Sequence, residues 1–283
     1  MTADVIPVHQ GLGEPAAAVL EATDVVKVLG TGAGQVRALK GVSLSLAPGE
    51  LTLLMGPSGS GKTTLLSVLG CMMTPSDGTV RVCGQSTKDA GPEQLAKLRR
   101  DHIGFIFQSY HLFPTLTALD NVRLALDVRG QHGWAVKARA KKALITVGLG
   151  HKTKSFPSEL SGGEQQRVAI ARAIVGNAPI ILADEPTAAL DSKNGHAIME
   201  VLAKIAADPT RAVLVVTHDP RIVPFAKRIV RIEDGSIVGE EHRSEGRGIS
   251  DDRGTGEEHD MKKREQDFED EDSIKTKRVR MQR

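Results

Sequence analysis

The sequence predicts an α/β protein: a mainly parallel sheet, preceded by an antiparallel β portion and interrupted by a helical one. Three observations carry this expectation. From Leu51 onward, short apolar runs of strand length alternate with segments of helical period, as parallel strands joined by helices do. Before them, two stretches of rough two-residue period follow one another directly, as antiparallel neighbours do. A glycine-rich turn then joins the first continuous apolar run to a helix. With 40 % hydrophobic and 25 % charged residues, the 283-residue chain is neither wholly disordered, collagen-like nor coiled-coil. No apolar run approaches the roughly 18 to 20 residues that cross a bilayer. Residues 1–10 lack the basic region and apolar core of an export signal.

The elements follow in order. Residues 1–20 mix Gly, Pro and Ala without a period and read as a flexible arm. Val19 to Val28 and Val36 to Leu46 read as the antiparallel strands. Leu51 to Met55 is a strand buried on both faces, and Lys62 to Leu69 is a helix. Gly78 to Cys83 and Ile103 to Phe107 return to strand pattern. From Thr117 to Val147 the apolar spacing is three or four, broken at Gly130 to Gly133, which predicts several short helices. A helix from about Gly163 leads to the strand Ile180 to Ala183, and one more helix leads to the strand Ala212 to Val216. Asp234-Gly235, between apolar runs in Ile229 to Val238, marks a hairpin. A folded domain over 21–245, with a helical subdomain at about 95–165, is the expected organisation.

Beyond it, 246–283 reads as a disordered charged tail: 20 of the 33 residues from 251 onward are charged, too many to bury a core. The tail divides into an acidic block, Glu269 to Asp272, and a basic end, Lys275 to Arg283, and reads as a solvated extension. Net charge is +2, so no global field favours nucleic acid. Cys71 and Cys83 have no metal-ligand spacing and read as two buried thiols in a reducing compartment.

Two segments carry chemistry. Gly56-Pro57-Ser58-Gly59-Ser60-Gly61-Lys62-Thr63, followed by Thr64, is a P-loop pattern between a strand and a helix. Its glycines let successive N–H groups wrap a phosphate, and the helix N-terminus adds its positive end. Lys62 then brings a cation to the β- and γ-phosphates of a nucleotide, and the Thr63 hydroxyl ligates Mg²⁺. Ile180 to Glu185 ends a buried strand in two acids: Asp184 to hold the metal and Glu185 to polarise water as general base.

Between these segments stands Leu160-Ser161-Gly162-Gly163-Glu164-Gln165-Gln166-Arg167, which resembles the signature motif of ATP-binding-cassette (ABC) ATPases. Phe107-Gln108 resembles their Q-loop, Ala188 to Asp191 their D-loop, and Val216-Thr217-His218-Asp219 their switch-histidine loop. The motifs stand in family order across about 21–240. The resemblance implies a P-loop NTPase core, ATP and Mg²⁺ as cofactors, and a head-to-tail homodimer. ATP on one P-loop would be closed by Ser161, Gly162, Gly163 and Glu164 of a second copy. It further implies that His218 holds the γ-phosphate and Glu185 in line, and that Gln108 reaches the metal.

One position departs from the family. An aromatic residue usually lies against adenine, but the corresponding place in Lys27-Val28-Leu29-Gly30 holds Leu29. Looser adenine discrimination is expected.

The stretch Tyr110 to Val122, with Ala183 to Lys193, is similar to the macrolide-exporter, lipoprotein-releasing and DevA-like group. That likeness implies a cytoplasmic ATPase peripheral on the inner face of the membrane, beneath a permease subunit. It would drive export or extraction of a lipid-like, glycolipid, lipoprotein or drug substrate toward a periplasmic adaptor. Tyr110, Leu112, Phe113 and Leu116 offer an apolar cluster for docking, though packing within the subdomain accounts for them equally well. A cell-division-type regulator of a cell-wall hydrolase and an importer ATPase share these motifs and stay open. A nucleic-acid-handling role does not fit the near-neutral charge.

Overall fold

A computed structural model describes residues 17–243, so the expected tail and all but the end of the expected arm lie outside the described residues. The chain runs β1 (Leu20–Leu29), β2 (Val36–Leu46), β3 (Glu50–Met55), α1 (Lys62–Leu69), β4 (Asp77–Val82), β5 (Gln85–Ser86) and α2 (Pro92–His102). It continues with β6 (Ile103–Ile106), α3 (Ala118–Asp127), α4 (Trp134–Thr146), α5 (Gly162–Ile174) and β7 (Ile180–Asp184). The last elements are α6 (Ser192–Ala206), β8 (Ala212–Thr217), β9 (Arg228–Glu233) and β10 (Ser236–His242).

Six strands form one sheet in the order β10-β9-β3-β8-β7-β6, parallel except for the β9–β10 edge. Four form an antiparallel sheet in the order β2-β1-β4-β5. Strands β7 and β8 are apolar up to their last residues, Asp184 and Thr217, because both faces of the large sheet are covered. Ile181, Val213 and Val215 pack with the helices α3 to α6, while Leu182, Leu214 and Val216 pack with α1 and the antiparallel sheet. Alternate residues of one strand thus serve two cores.

Helix starts follow local chemistry. Thr117 caps α3 by accepting from the Asp120 N–H, Ser161 caps α5 and Asp191 caps α6. Helix α2 gave no sequence signal because only Leu95 and Leu98 of its largely polar turns are buried. The short β5 and the tight turn at Pro220–Phe225 were equally silent. The expected helical stretch from Thr117 resolves into two helices, α3 and α4, with the break where glycines stand. Cys71 is buried, but Cys83 is only half-buried, because it sits in the turn after β4 and packs at the rim of the core.

Candidate functional site

The motif residues gather at the carboxyl ends of the parallel strands, where ligands of such sheets bind. Strand β3 runs into the P-loop, β7 delivers Asp184 and Glu185, β8 delivers His218, and Gln108 follows β6. Four separate stretches of sequence thereby meet at one edge. Gly59, Gly61, Lys62, Thr63, Gln108, Glu185 and His218 line a cleft of about 810 Å³.

Sterics explain the glycines. A Cβ on Gly56 would lie 2.1 Å from the Ile232 carbonyl oxygen. Gly61 has φ +97°, and its Cβ would meet the Ala38 carbonyl at 2.7 Å. The β9–β10 turn braces the loop further: Gly235 N–H donates to Ser60 O at 3.0 Å, and Lys40 N–H donates to Gly235 O at 2.8 Å. Sequence reading took Asp234-Gly235 for a hairpin turn alone; Asp234 also lines the cleft.

Lys62 is buried, and its Nζ donates to Gly56 O at 2.8 Å and Pro57 O at 2.7 Å. No carboxylate among the described residues pairs with this ammonium, so its charge is free to meet phosphate. Thr63 Oγ1 donates to Asp184 Oδ1 at 3.4 Å. Burial first, and the neighbouring Glu185 carboxylate second, push the Asp184 carboxyl above the usual range. A carboxylate held charged against such a penalty, beside a hydroxyl, is an oxygen donor set suited to a hard divalent cation.

Glu185 adopts φ +45°, in the left-handed region that side chains avoid. Its N–H donates to Val216 O at 3.0 Å, and its Oε1 lies 2.7 Å from His218 Nδ1. The strand end therefore turns sharply and aims the carboxylate at the histidine. Gln108 is exposed at the cleft wall. The loop after it is strapped to α5, where Arg172 donates to the carbonyls of Tyr110 and His111 at 2.7 and 2.5 Å. Sequence reading did not single out Arg172, since an arginine on a helix gives no sign of the loop it will hold.

The signature segment stands apart. Ser161, Gly162, Gly163 and Glu164 do not line the P-loop cleft. They form the head of α5, with Ser161 exposed, Gly162 and Glu164 half-buried and Gly163 buried. There Glu164 Oε2 accepts from Ser161 N–H at 2.9 Å and Ser161 Oγ accepts from Glu164 N–H at 3.3 Å. The Ser161 N–H holds the Glu164 carboxyl below its usual range. An open helix N-terminus of this kind receives anions.

At the expected place of the base, Leu29 and Val36 pair across β1 and β2, with Arg37 and Lys40 nearby along the cleft. No aromatic ring lines this wall among the described residues. In the expected docking cluster, Phe113 is 51 % exposed, Tyr110 and Leu116 are half-buried, and Leu112 packs against the helical core. Phe113, Phe105, Leu124, Val128 and Arg100 line a groove of about 310 Å³.

The ABC transporter family model matches residues 39–188. An uncharacterised ABC transporter ATP-binding protein of Methanocaldococcus jannaschii, MJ0796, is 45 % identical over 222 residues, covering 77 % of this chain and 94 % of that protein. The macrolide export ATP-binding/permease protein MacB of Salmonella paratyphi A is 46 % identical over 221 residues, covering 78 % of this chain. The chain spans about a third of the length of that relative, 34 %. Among solved structures, the dimeric post-hydrolysis state of the MJ0796 cassette bound to ADP and Pi is similar with a TM-score of 0.73 at 43 % identity. The match covers 80 % of this chain and 99 % of that one.

Proposed function

Because the chain belongs to the ABC transporter family and is an ATPase of that family, we propose that it energises export or extraction of a lipid-like, glycolipid, lipoprotein or drug substrate. The substrate would pass through a membrane permease carried on a separate chain and reach a periplasmic adaptor. The cassette itself would lie on the cytoplasmic face of the membrane, docked through the groove beside Phe113. The likeness to the macrolide-export relatives supports this branch of the family over the importer and cell-division readings.

The observation that carries the proposal is the division of one site into two surfaces. The P-loop cleft collects Lys62, Gln108, Glu185 and His218, while the anion-receiving head of α5 opens elsewhere on the same chain. A second copy, facing the first head to tail, would bring its Ser161, Gly162, Gly163 and Glu164 over the γ-phosphate. Thr63, Asp184 and Gln108 would hold Mg²⁺, which when bound offsets negative charge on the phosphates. Glu185 then accepts a proton from the attacking water as its oxygen bonds the γ-phosphorus and ADP departs. His218 fixes the Glu185 carboxylate through the 2.7 Å contact and would meet the γ-phosphate under attack.

Subunit mixing tests this division. Lys62→Ala and Ser161→Arg chains should each be inactive, and mixing them should restore hydrolysis through the one intact composite site. A Ser161→Arg chain that turns over ATP at the unmodified rate would overturn the proposal.

A further inference from the structure

We infer that the outer face of α4 is a docking surface for an anionic lipid membrane. The helix has apolar side chains on two opposite sides. Val136, Ala140, Ala143 and Leu144 point inward, into the core shared with α3 and α5. At 3.6 residues per turn, Trp134, Ala138, Lys141 and Ile145 fall on the opposite stripe, spaced four, three and four apart. Trp134 is 86 % exposed and Ile145 57 %, although a surface helix ordinarily turns polar residues outward. The outward display of Trp134 and Ile145 is therefore not required by the fold.

Charge on the same face selects the partner. Helix α4 carries Lys137, Arg139, Lys141 and Lys142 and no acidic side chain. Arg139 is engaged inward, donating to Gln131 Oε1 at 2.6 Å and Val175 O at 3.1 Å. Lys137, Lys141 and Lys142 are exposed and have no ion-pair partner among the described residues. The acidic side chain nearest in sequence, Asp127, is occupied by Arg123 at 3.2 Å and lies 3.6 Å from His132. Lysine is depleted in protein–protein interfaces, whereas an exposed tryptophan bordered by unpaired lysines suits the headgroup layer of an anionic bilayer. The ring would enter the interface and the ammonium groups would meet lipid phosphates.

This inference takes the membrane setting from the proposed function, but its test is independent of catalysis. Trp134 is the single tryptophan of the chain, so intrinsic fluorescence reports on this surface alone. The full chain is titrated with phosphatidylglycerol–phosphatidylcholine vesicles and with phosphatidylcholine vesicles. With the anionic vesicles, Trp134 emission should move to the blue, resist an aqueous quencher and recover in high salt; with neutral vesicles it should stay unchanged. Lys137→Glu with Lys141→Glu should weaken vesicle partitioning by about tenfold or more while ATP hydrolysis in solution is unaltered. Co-sedimentation with unchanged Trp134 emission would assign binding to another surface, such as the basic end at 275–283, and overturn the inference. Absence of co-sedimentation, or a blue shift only when a membrane subunit is added, would overturn it as well. Failure of the unmodified chain to hydrolyse ATP would count against the ATPase reading instead, whereas loss of hydrolysis in the double variant alone would show that these lysines serve the cassette itself and would overturn the inference.

Discussion

Gln166 is fully buried on α5, and neither end of its amide has a hydrogen-bond partner among the described residues. An unpaired buried amide costs about 1–3 kcal/mol. Gln166→Met should therefore raise unfolding stability by about 1 kcal/mol or more, read from denaturant melts; a loss of stability would show that the amide is satisfied in solution. Asp184 is the second strained residue. Its folded carboxyl titrates above the unfolded one, so the folded state binds the proton more tightly, and stability falls as pH rises through the window between the two values. Asp184→Asn should remove that decline and make the nucleotide-free chain more stable at neutral pH, while metal-dependent hydrolysis is lost. Thermal melts across acidic to neutral pH check this, and an unchanged pH slope in the variant would contradict it. At Leu29, aromatic stacking worth roughly 1–3 kcal/mol per base in nucleic-acid complexes is missing. GTP should compete with ATP, and Leu29→Tyr should tighten ATP binding. A preference for ATP of about 50-fold or more in the unmodified chain would remove Leu29 from the base contact.

Between elements, single polar side chains fix the loops that the site depends on. Asn121, fully buried on α3, accepts from Phe113 N–H and donates to the carbonyls of Phe113, Leu116 and Thr117. It holds the loop that carries the exposed Phe113, so Asn121→Ala should cost about 1–3 kcal/mol and loosen that loop in hydrogen exchange. Arg172 ties α5, and with it the signature head, to the loop behind Gln108. Arg172→Met should lower kcat for ATP hydrolysis with little change in KM, because P-loop contacts are untouched; a change in KM alone would refute this coupling. Arg221 makes a comparable bridge, donating to Asp219 beside His218 and to Ser192 at the start of α6 at 2.7 Å. None of these straps was legible in the sequence. An arginine or asparagine on a helix face carries no mark of the distant carbonyl it will meet, and α2 was missed because its apolar content is too small to set a period.

For the molecule as a whole, the sequence revealed most where chemistry constrains both residue type and spacing. The P-loop glycines are forced by carbonyls that leave no room for a Cβ, so Gly56 and Gly61 were legible before the fold was known. Strands β7 and β8 were legible because covering both faces makes a strand apolar at every position before its terminal Asp184 or Thr217. The meeting of β3, β6, β7 and β8 at one sheet edge was not readable from local pattern, and came from the resemblance. The separation of Ser161 from the P-loop cleft is a property only of the folded chain. It supports the central proposal, that ATP is enclosed between two copies and that neither copy is complete alone. Sedimentation of Glu185→Gln measures this most directly, since removal of a general base typically slows the chemical step by about 10² to 10⁴-fold and preserves the nucleotide-bound assembly. On addition of ATP and Mg²⁺ its mass should double, and Ser161→Arg in the same background should abolish the doubling. A particle that keeps the mass of one chain while saturated with ATP would contradict the account.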